Sequence, residues 1–354
     1  MAPSQMKGIL IEKFLKSHHE LQICSVPPPL IGTNTLLIRI THTSPTHVDL
    51  LYLAGKHQNN RRHMRPPFIL GTDFAGTVVS SPAFSPFKPG DNVFGVAQGA
   101  FAEYVSVDVG KGYGSVRRVP RGWTNAEACA VGVSGAVSYG ALAAAAQLQK
   151  GETVLVLGAG GGLGVIACQI ALAMGAHVIG VVGDKEKAAV LRRMGVEDVV
   201  GYNLPGWEDK VKALMAEKGK EGVDVVYDSV GKVESSLRCL RYGGRVVIVG
   251  FAARNGVMEK VGMNRILLKG AGVVGYRFGE HGRRHPEETE AIWDEFMKMA
   301  ENGNIKAVVY EERYKGVQDI PRALEDLHVR KVIGRAVVTI SEDSSAQTVN
   351  SSKL

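Results

Sequence analysis

Residues 153–164 read TVLVLGAGGGLG, and this stretch decides the fold of the chain. It predicts a buried β-strand that runs into a glycine-rich turn and then into a helix. Glycines let the backbone approach a nucleotide pyrophosphate, and a helix N-terminus offers free N–H groups and the positive end of a dipole. The alternative is a tight strand-to-helix turn in some other α/β protein, because a single glycine fingerprint is weak evidence.

The residues after this turn favour the nucleotide-binding interpretation. Residues 165–174 (VIACQIALAM) form an apolar helical pattern that ends at Gly175-Ala176, and residues 177–182 (HVIGVV) predict a second strand. Strand, turn, helix and strand fill about 30 residues, which is the length of a mononucleotide-binding βαβ unit. Strands and helices continue to alternate up to about residue 275. We therefore expect a doubly wound sheet of five or six parallel strands.

The regions on either side of this sheet read differently. Residues 1–125 contain short apolar runs between Pro, Gly and Asn turns and predict a small β-barrel. Residues 126–146 predict small-residue helices, residues 287–302 one long helix, and residues 305–310, 313–318 and 333–340 further β-structure. We expect a discontinuous barrel domain (1–125 and 276–340), a nucleotide-binding domain (126–275) and a polar, disordered tail (341–354).

Bulk properties exclude several classes of protein. The chain has 354 residues, 45% of them hydrophobic, and it has no uninterrupted apolar run of about 18 residues and no secretory signal, so no membrane association is expected. Its four cysteines are scattered without Cys-x-x-Cys spacing, so neither a disulfide framework nor a zinc site is expected. The net charge of +7 suits an anionic ligand such as NADPH or a CoA ester and does not require nucleic acid.

Seven segments, in order, carry a resemblance to a known family. They are PPFILGTDFAGTVV (66–79), FKPGDNVFG (87–95), GAFAEYVSV (99–107), the glycine turn, DVVYDSVG (224–231), GGRVVIVGF (243–251) and RKVIGRAVV (330–338). The chain resembles the medium-chain dehydrogenase/reductase superfamily over about residues 7–340, and most closely its zinc-independent NADPH:quinone oxidoreductase and enoyl reductase branch. The resemblance implies a GroES-like β-barrel catalytic domain, a Rossmann domain, an active site in the cleft between them and a homodimer.

The zinc ligands of the related alcohol dehydrogenases are missing. Their places hold Thr46, Thr72 and Val133, none of which is a strong zinc ligand. Without a metal, reduction of a quinone or an α,β-unsaturated carbonyl is expected, because conjugation spreads the incoming charge and a hydrogen-bond donor suffices. The alternatives are a zinc-independent alcohol or aldehyde dehydrogenase-like tailoring enzyme and a nucleotide-binding protein with little catalysis.

For the cofactor, the resemblance implies NADPH, with NADH open. The second strand ends at Val182-Gly183 without the carboxylate that binds the ribose of NAD. Lys187 and Tyr202 match positions that hold the 2′-phosphate of NADPH, whereas Asp184 stands where a serine is usual and would repel that phosphate. The remaining cofactor residues expected from the family are Gly161, Gly162, Leu163, Gly164, Ser229, Val249, Gly250, Phe251 and Arg335, the last near the cofactor phosphates.

On the substrate side, the resemblance points to one loop and helix of the barrel. Tyr52 is expected to donate a proton or orient a carbonyl, and Thr46 replaces a frequent asparagine. Asp49 is expected to have a structural role, and His57 is expected on the rim of the cleft. The cluster Arg61-Arg62-His63-Met64-Arg65 is either a solvated loop or a site for the phosphates of a CoA thioester.

The printed sequence ends with Ser352-Lys353-Leu354. A terminal SKL tripeptide is a peroxisomal address that an import receptor reads. Peroxisomal chemistry is rich in CoA esters, so this address favours enoyl thioester reduction over the reduction of free quinones.

Overall fold

A computed structural model of the chain describes residues 3–109, 116–203, 206–253 and 258–342. The chain forms two compact units, one of residues 1–133 with 307–354 and one of residues 134–306. The second unit thus extends some thirty residues beyond the end expected for the nucleotide-binding domain, at 275.

The strands, numbered in chain order, lie in both units. They are β1 (Met6–Ile11), β2 (Ile23–Val26), β3 (Thr35–Ser44), β4 (Phe68–Ile69), β5 (Asp73–Ser80), β6 (Asn92–Val96), β7 (Tyr104–Asp108), β8 (Val116–Arg118), β9 (Thr153–Leu157), β10 (His177–Val182), β11 (Asp198–Gly201), β12 (Val223–Asp228), β13 (Leu240–Ile248), β14 (Gly272–Gly275), β15 (Tyr314–Lys315) and β16 (Val338–Thr339).

The three longest of the described helices lie in the second unit. The helices are α1 (His47–Leu53), α2 (Asn125–Val131), α3 (Ser134–Tyr139), a π-helix (Gly140–Ala145), α4 (Gly162–Ala173), α5 (Lys185–Arg193), α6 (Trp207–Glu217), α7 (Val233–Cys239), α8 (Met263–Lys269), α9 (Phe278–Arg284), α10 (Pro286–Glu301) and α11 (Ile320–His328), together with 3₁₀ helices at His18–Glu20, Gln58–Arg61 and Val317–Asp319.

The first unit is a β-structure in which neighbouring strands are mostly antiparallel. One sheet runs β15-β16-β3-β5-β6-β8, with β7 also paired to β3, and a smaller sheet runs β2-β1-β4. Strand β16 joins the barrel, because Val338 pairs with Thr43 of β3. Apolar residues of alternating strand positions, such as Leu36, Ile38 and Phe74, fill one core of this unit.

Two features of the first unit differ from the sequence-based expectation. Residues 305–310 do not form a strand, and only a single bridge joins Val309 to Arg335. Helix α11 was not anticipated, although its apolar face is clear in retrospect: Ile320, Ala323 and Leu324 are buried against the barrel core.

The second unit is built on a six-stranded sheet in the order β11-β10-β9-β12-β13-β14. All five pairings are parallel. The central strands β9 and β12 are buried along their whole length, as expected for a sheet covered by helices on both faces. The strand order reverses between β9 and β12, and ligands bind at such a switch point, outside the carboxyl ends of the strands.

The long helix α10 belongs to this second unit because its apolar face packs against α3. A Cβ added to Gly135 of α3 would lie 2.1 Å from the Phe296 ring, and one added to Gly140 would lie 3.1 Å from Ile292. Phe296 is fully buried. The glycines therefore admit α10 to close contact, which places its residues with the nucleotide-binding sheet and not with the barrel.

The apolar stretch Asn125–Ala145 is long and apolar enough to cross a membrane, unlike any other helix in the described ranges. However, 67% of its most apolar window is buried within the protein. Core helices of water-soluble proteins show the same property. The expectation that the protein does not associate with membranes stays a prediction.

Candidate active site

The glycine turn lies where the sequence predicts it, between β9 and α4. Gly158 adopts a left-handed backbone conformation (φ +70°) at the end of the strand. Gly161 is the N-cap of α4 and provides no side-chain cap. The N–H groups of Gly162, Leu163 and Gly164 in the first helical turn have no partner within the helix. The turn therefore presents backbone donors to an anion, as a dinucleotide pyrophosphate requires.

The individual glycines of the turn meet different surroundings. A Cβ on Gly164 would come within 2.3 Å of the Gly158 carbonyl oxygen, so this position needs glycine for the turn to close. A Cβ on Gly161 would approach that oxygen only to 3.5 Å, which is ordinary contact. The space beside Gly161 is open to a ligand, and the turn fits a bound pyrophosphate.

Four further predicted cofactor residues follow the two neighbouring strands. Ser229 comes after β12, and its Oγ donates to the Leu157 carbonyl at the end of β9 (2.9 Å). Val249, Gly250 and Phe251 come after β13, where the Val249 N–H donates to the Asp228 carbonyl (2.9 Å). The structure thus brings these residues to the same edge of the sheet as the glycine turn. Phe251 is 46% exposed, so its ring is available to a ligand.

Asp228 is a residue that the sequence reasoning quoted in a motif but did not single out. Its buried carboxylate accepts hydrogen bonds from the backbone N–H groups of Val230, Gly231 and Lys232 at 2.7–2.9 Å. Burial raises the pKa of Asp228, and the three backbone donors oppose that rise. The carboxylate fixes the loop that carries Ser229. A buried aspartate directly after a strand was the available signal.

Lys187, Asp184 and Tyr202 lie together after β10 and β11. Asp184 caps α5 by accepting from the Lys187 N–H (2.8 Å), and its other oxygen holds the Lys187 Nζ at 2.7 Å. Burial would raise the pKa of Asp184, but the hydrogen bonds from Lys187 hold it below its usual value. The Lys187 stem covers Gly160, and the Tyr202 hydroxyl lies beside Gly183. A cation, a carboxylate and a phenol therefore surround the place expected for the adenosine ribose.

In the first unit, Thr46 and Asp49 form a tightly bonded pair at the start of α1. Both the N–H and the Oγ1 of Thr46 donate to Asp49 Oδ2, at 2.7 and 2.8 Å. Asp49 is fully buried. Burial raises the pKa of its carboxyl to about 7, the nearby Asp73 adds to this rise, and the bonds from Thr46 oppose it. Asp49 therefore has a local structural role as expected, and it also titrates near neutral pH.

Asp73 and Arg335 complete a buried charged group around Asp49. The Arg335 Nη2 lies 3.8 Å from Asp73 Oδ1, with side chains only 9% and 2% exposed. The same Asp73 oxygen accepts from the Val133 N–H (3.2 Å). Arg335 was expected near the cofactor phosphates. The structure places it in the barrel unit, where Asp73 faces its guanidinium, because β16 carries this segment back beside β3.

Tyr52 and His57 form a second pair in the same unit. Tyr52 is 6% exposed and belongs to the barrel core. Its hydroxyl accepts from Asn59 Nδ2 (2.9 Å), and its ring lies 4.4 Å from that of His57. His57 caps the following 3₁₀ helix by accepting from the Asn59 N–H. The structure thus joins Tyr52 to Asn59 and His57, and its role as proton donor stays a prediction.

The three positions that hold zinc in alcohol dehydrogenases do not fit a metal in this chain. The Thr46 hydroxyl donates to Asp49, and the Thr72 hydroxyl donates to Asp73 (3.3 Å). Val133 contributes only its backbone N–H. Neutral hydroxyls and a valine are not zinc ligands, so these residues would not hold a catalytic zinc ion.

Two family models match the chain. The model described as Alcohol dehydrogenase GroES-like domain matches residues 32–157, and the model described as Zinc-binding dehydrogenase matches residues 162–298. The crystal structure of a probable oxidoreductase from Mycobacterium abscessus is 31% identical, covers 96% of this chain and 100% of its own, and superposes with a TM-score of 0.82.

The chain belongs to the medium-chain dehydrogenase/reductase superfamily. It is a quinone oxidoreductase-like oxidoreductase of that superfamily, whose members use NAD(P)H. The predicted fold class is confirmed: a GroES-like domain with a doubly wound, parallel Rossmann sheet.

Several relatives resemble this oxidoreductase over most of its length. It is 28% identical to prostaglandin reductase-3 of Bos taurus over 96% of this chain and 90% of that protein. It is 28% identical to acryloyl-coenzyme A reductase of Sulfurisphaera tokodaii (83% and 92%) and 34% identical to quinone oxidoreductase of Sus scrofa (63% and 66%). A mycobacterial protein solved with NADPH is 25% identical, with a TM-score of 0.82 over 94% of this chain and 99% of its own.

Two further sequence predictions concern the basic cluster at residues 61–65 and the tail of the chain. In the basic cluster, the side chains of Arg61, Arg62 and Arg65 are exposed, and Arg65 Nη2 donates to the Arg61 carbonyl (2.7 Å). The tail from residue 343 onward, with Ser352-Lys353-Leu354, lies outside the described residues.

Proposed function

We propose that this oxidoreductase is a zinc-independent, NADPH-dependent reductase. It passes hydride to the electron-poor carbon of a quinone or of an α,β-unsaturated carbonyl compound, including an enoyl thioester. One observation carries this proposal. The chain has a complete phosphate-binding turn, and the positions that hold zinc in alcohol dehydrogenases are occupied by two hydrogen-bonded threonines and a valine. Without a Lewis acid, substrates whose carbonyl conjugation already accepts charge are favoured.

For the cofactor, the position of Lys187 supports NADPH, whereas its ion pair with Asp184 opposes it. Its ammonium and the Tyr202 phenol lie where a 2′-phosphate is expected, and Asp184 is engaged as helix cap and ion-pair partner. A 2′-phosphate competes with Asp184 for the Lys187 ammonium, so NADH remains usable. When bound, the reduced nicotinamide supplies the hydride from its C4. The first turn of α4 holds the pyrophosphate, and Ser229, Val249, Gly250 and Phe251 line the nicotinamide.

On the substrate side, the chain supplies hydroxyl groups in place of a metal. We assign Thr46 Oγ1 to the substrate carbonyl oxygen, where it exchanges its hydrogen bond with Asp49 for one with the substrate. Asp49 Oδ1 has no hydrogen-bond partner among the described residues. The proton that completes the reduction comes from Tyr52 or from water.

As substrate class, an enoyl-CoA thioester is favoured over a free quinone. Three exposed arginines in residues 61–65 suit the phosphates of CoA, and acryloyl-coenzyme A reductase is among the relatives of this chain. The tripeptide Ser352-Lys353-Leu354, read as a free carboxyl terminus, would direct the enzyme to peroxisomes through the import receptor.

The central experiment measures NADPH consumption with three acceptors: a quinone, an enone and an enoyl-CoA. Turnover with an activated alkene, retained after treatment with a chelator, is expected. Tight NADPH binding without any turnover would instead favour a nucleotide-binding protein. Alcohol oxidation that is lost with the chelator would favour a zinc-dependent alcohol dehydrogenase.

The CoA assignment has a separate test. In an Arg61→Ala/Arg62→Ala variant, KM for the enoyl-CoA is expected to rise, whereas KM for the same enoyl group on a short thiol without phosphates stays constant. Equal effects on both substrates would contradict the assignment. A reporter that ends with the last dozen residues tests import, and a cytosolic reporter contradicts the address.

A homodimer is part of the same proposal. Strand β14 is the last strand of the sheet and all four of its residues are exposed, which leaves one row of backbone groups available to a second copy. The adjacent helix α8 exposes Leu267 (79%) and Leu268 (73%). Light scattering is expected to give a dimer mass for the protein and a monomer mass for a Leu267→Glu/Leu268→Glu variant. A monomeric unmodified protein would contradict the proposal.

A further inference from the structure

A cluster of histidines lies on the barrel unit, formed by two segments far apart in sequence. The 3₁₀ helix His18–Glu20 contributes two neighbouring imidazoles, and the last turns of α11 contribute Glu325. His18 Nε2 lies 2.6 Å and His19 Nε2 lies 3.6 Å from the same carboxylate oxygen, Glu325 Oε2. One ligand atom from each of the three groups lies within 4.8 Å of the others.

We infer that His18, His19 and Glu325 form a binding site for a divalent transition metal ion of the zinc class. In a tetrahedral zinc site, bonds of about 2.0–2.1 Å place the ligand atoms roughly 3.3 Å apart. The separations of 2.6 and 3.6 Å bracket this value. The two histidine ligand atoms lie within 4.8 Å of each other, so side-chain movements of roughly 1–1.5 Å suffice to close the three groups on an ion. Two imidazoles and one carboxylate are also the ligand types of known zinc sites.

The surroundings hold the ligands in place. The His18 side chain is only 7% exposed, and its ring lies between those of His19 (4.2 Å) and His328 (5.2 Å). The neighbouring Glu20 is engaged in the backbone, because its carboxylate accepts hydrogen bonds from the Lys16 and Ser17 N–H groups and fixes the turn. The backbone that presents both imidazoles is therefore preorganised by a cap and not by the ion.

The fourth ligand position belongs to solvent or to His328. His19 and Glu325 have side chains 70% and 40% exposed, so an ion can reach the cluster from solution. A bound ion would link the 3₁₀ helix His18–Glu20 to α11, which itself packs on the barrel core. The site is separate from the places that hold zinc in alcohol dehydrogenases, since those positions are Thr46, Thr72 and Val133.

The test uses the full-length protein after chelator treatment and gel filtration. Calorimetric titration with Zn²⁺ and thermal unfolding with and without Zn²⁺ are measured for the unmodified protein, for His19→Ala and for Glu325→Gln. We expect one ion per chain, a higher Tm with zinc, and at least tenfold weaker zinc binding in both variants. His19 is exposed and Glu325 is partly exposed, so the variants should fold.

A matched control separates this site from general binding to histidines. His177 is exposed at the start of β10, and His177→Ala should bind zinc as the unmodified protein does. Zinc binding that survives in His19→Ala and Glu325→Gln would place the ion elsewhere and overturn the inference. Absence of binding to the unmodified protein would show that the three groups form a hydrogen-bonded cluster only, and it would equally overturn the inference.

Discussion

The phosphate-binding turn of the second unit and the buried charged group of the first unit are built in opposite ways. The turn consists of consecutive residues, 158–164, and it offers backbone N–H groups. The charged group consists of side chains from Asp49, Asp73 and Arg335, which meet only when the barrel has formed. A substitution in the turn therefore acts through the local backbone, whereas the charged group depends on every member being present.

The largest expected effect comes from removing the one cation of the charged group. In Arg335→Met, Asp73 and Asp49 remain buried without the guanidinium that faces Asp73 at 3.8 Å. Breaking a buried pair in this way costs about 3–5 kcal/mol of unfolding free energy. Urea unfolding at pH 8, above the pKa of about 7 of Asp49, measures the loss.

A surface arginine provides the control for this prediction. Arg118 pairs with Asp91 at 2.7 Å, but its side chain is 53% exposed. Arg118→Met should change the unfolding free energy by no more than about 1 kcal/mol. Equal losses in the two variants would mean that the buried Arg335–Asp73 pair contributes no more to stability than the exposed Arg118–Asp91 pair.

The second effect concerns cofactor selectivity. A charge-assisted hydrogen bond contributes roughly 1.5–3 kcal/mol, so Lys187→Ala should weaken NADPH about 10- to 100-fold and leave NADH nearly unchanged. Asp184→Ser should shift the preference towards NADPH, because it removes the carboxylate that now holds the ammonium at 2.7 Å. The ratio of kcat/KM for the two cofactors with one acceptor measures both changes. If Lys187→Ala affected NADH and NADPH equally, the phosphate assignment would be wrong.

Much of the second unit could be predicted from sequence because its signals are local. The strand at 177–182 has the predicted bounds, and helices α4 and α10 begin and end within three residues of the positions predicted at 165–174 and 287–302. The barrel unit was harder to predict. Its last strands are two residues long, and such strands are defined by pairing with β3 and not by their own pattern.

The candidate site shows the same contrast. Gly161 could be assigned because the glycine turn follows its strand at a fixed spacing, and Lys187 was assigned by resemblance to a position that holds the 2′-phosphate in relatives. Asp73 was missed as a partner of Arg335 because 262 residues separate them in the sequence. Tyr52 could be placed near the site by resemblance, but no pattern in the sequence reveals that Asn59 donates to its hydroxyl. Side-chain pairing between distant segments is a property of the folded barrel.

The third effect tests how the turn binds phosphate. Gly161→Val places a branched side chain in the open space beside the turn, so NADPH affinity should fall at least tenfold, about 1.4 kcal/mol, while the fold is kept. Gly164→Ala differs, because its Cβ would lie 2.3 Å from the Gly158 oxygen and should destabilise the unit itself. Calorimetric titration and thermal unfolding of the two variants separate binding from folding. Unchanged affinity in a folded Gly161→Val variant would show that the phosphates bind elsewhere.

The last effect is a pH dependence that originates in the barrel. Burial raises the pKa of Asp49 from 3.8 to about 7 in the folded protein. Below pH 3.8 both the folded and the unfolded chain carry this proton. Between that pH and about 7, the unfolded chain releases it and the folded chain keeps it, so stability falls as pH rises. The slope is at most about 1.4 kcal/mol per pH unit and vanishes once both states are ionised.

Asp49→Asn removes the titrating group but keeps an acceptor for Thr46. Its unfolding free energy should therefore fall less than that of the unmodified protein between about pH 5 and 7, as measured by urea unfolding across that range. Parallel curves for the two proteins would mean that Asp49 is already ionised in the folded barrel, and that Arg335 neutralises both carboxylates and not Asp73 alone.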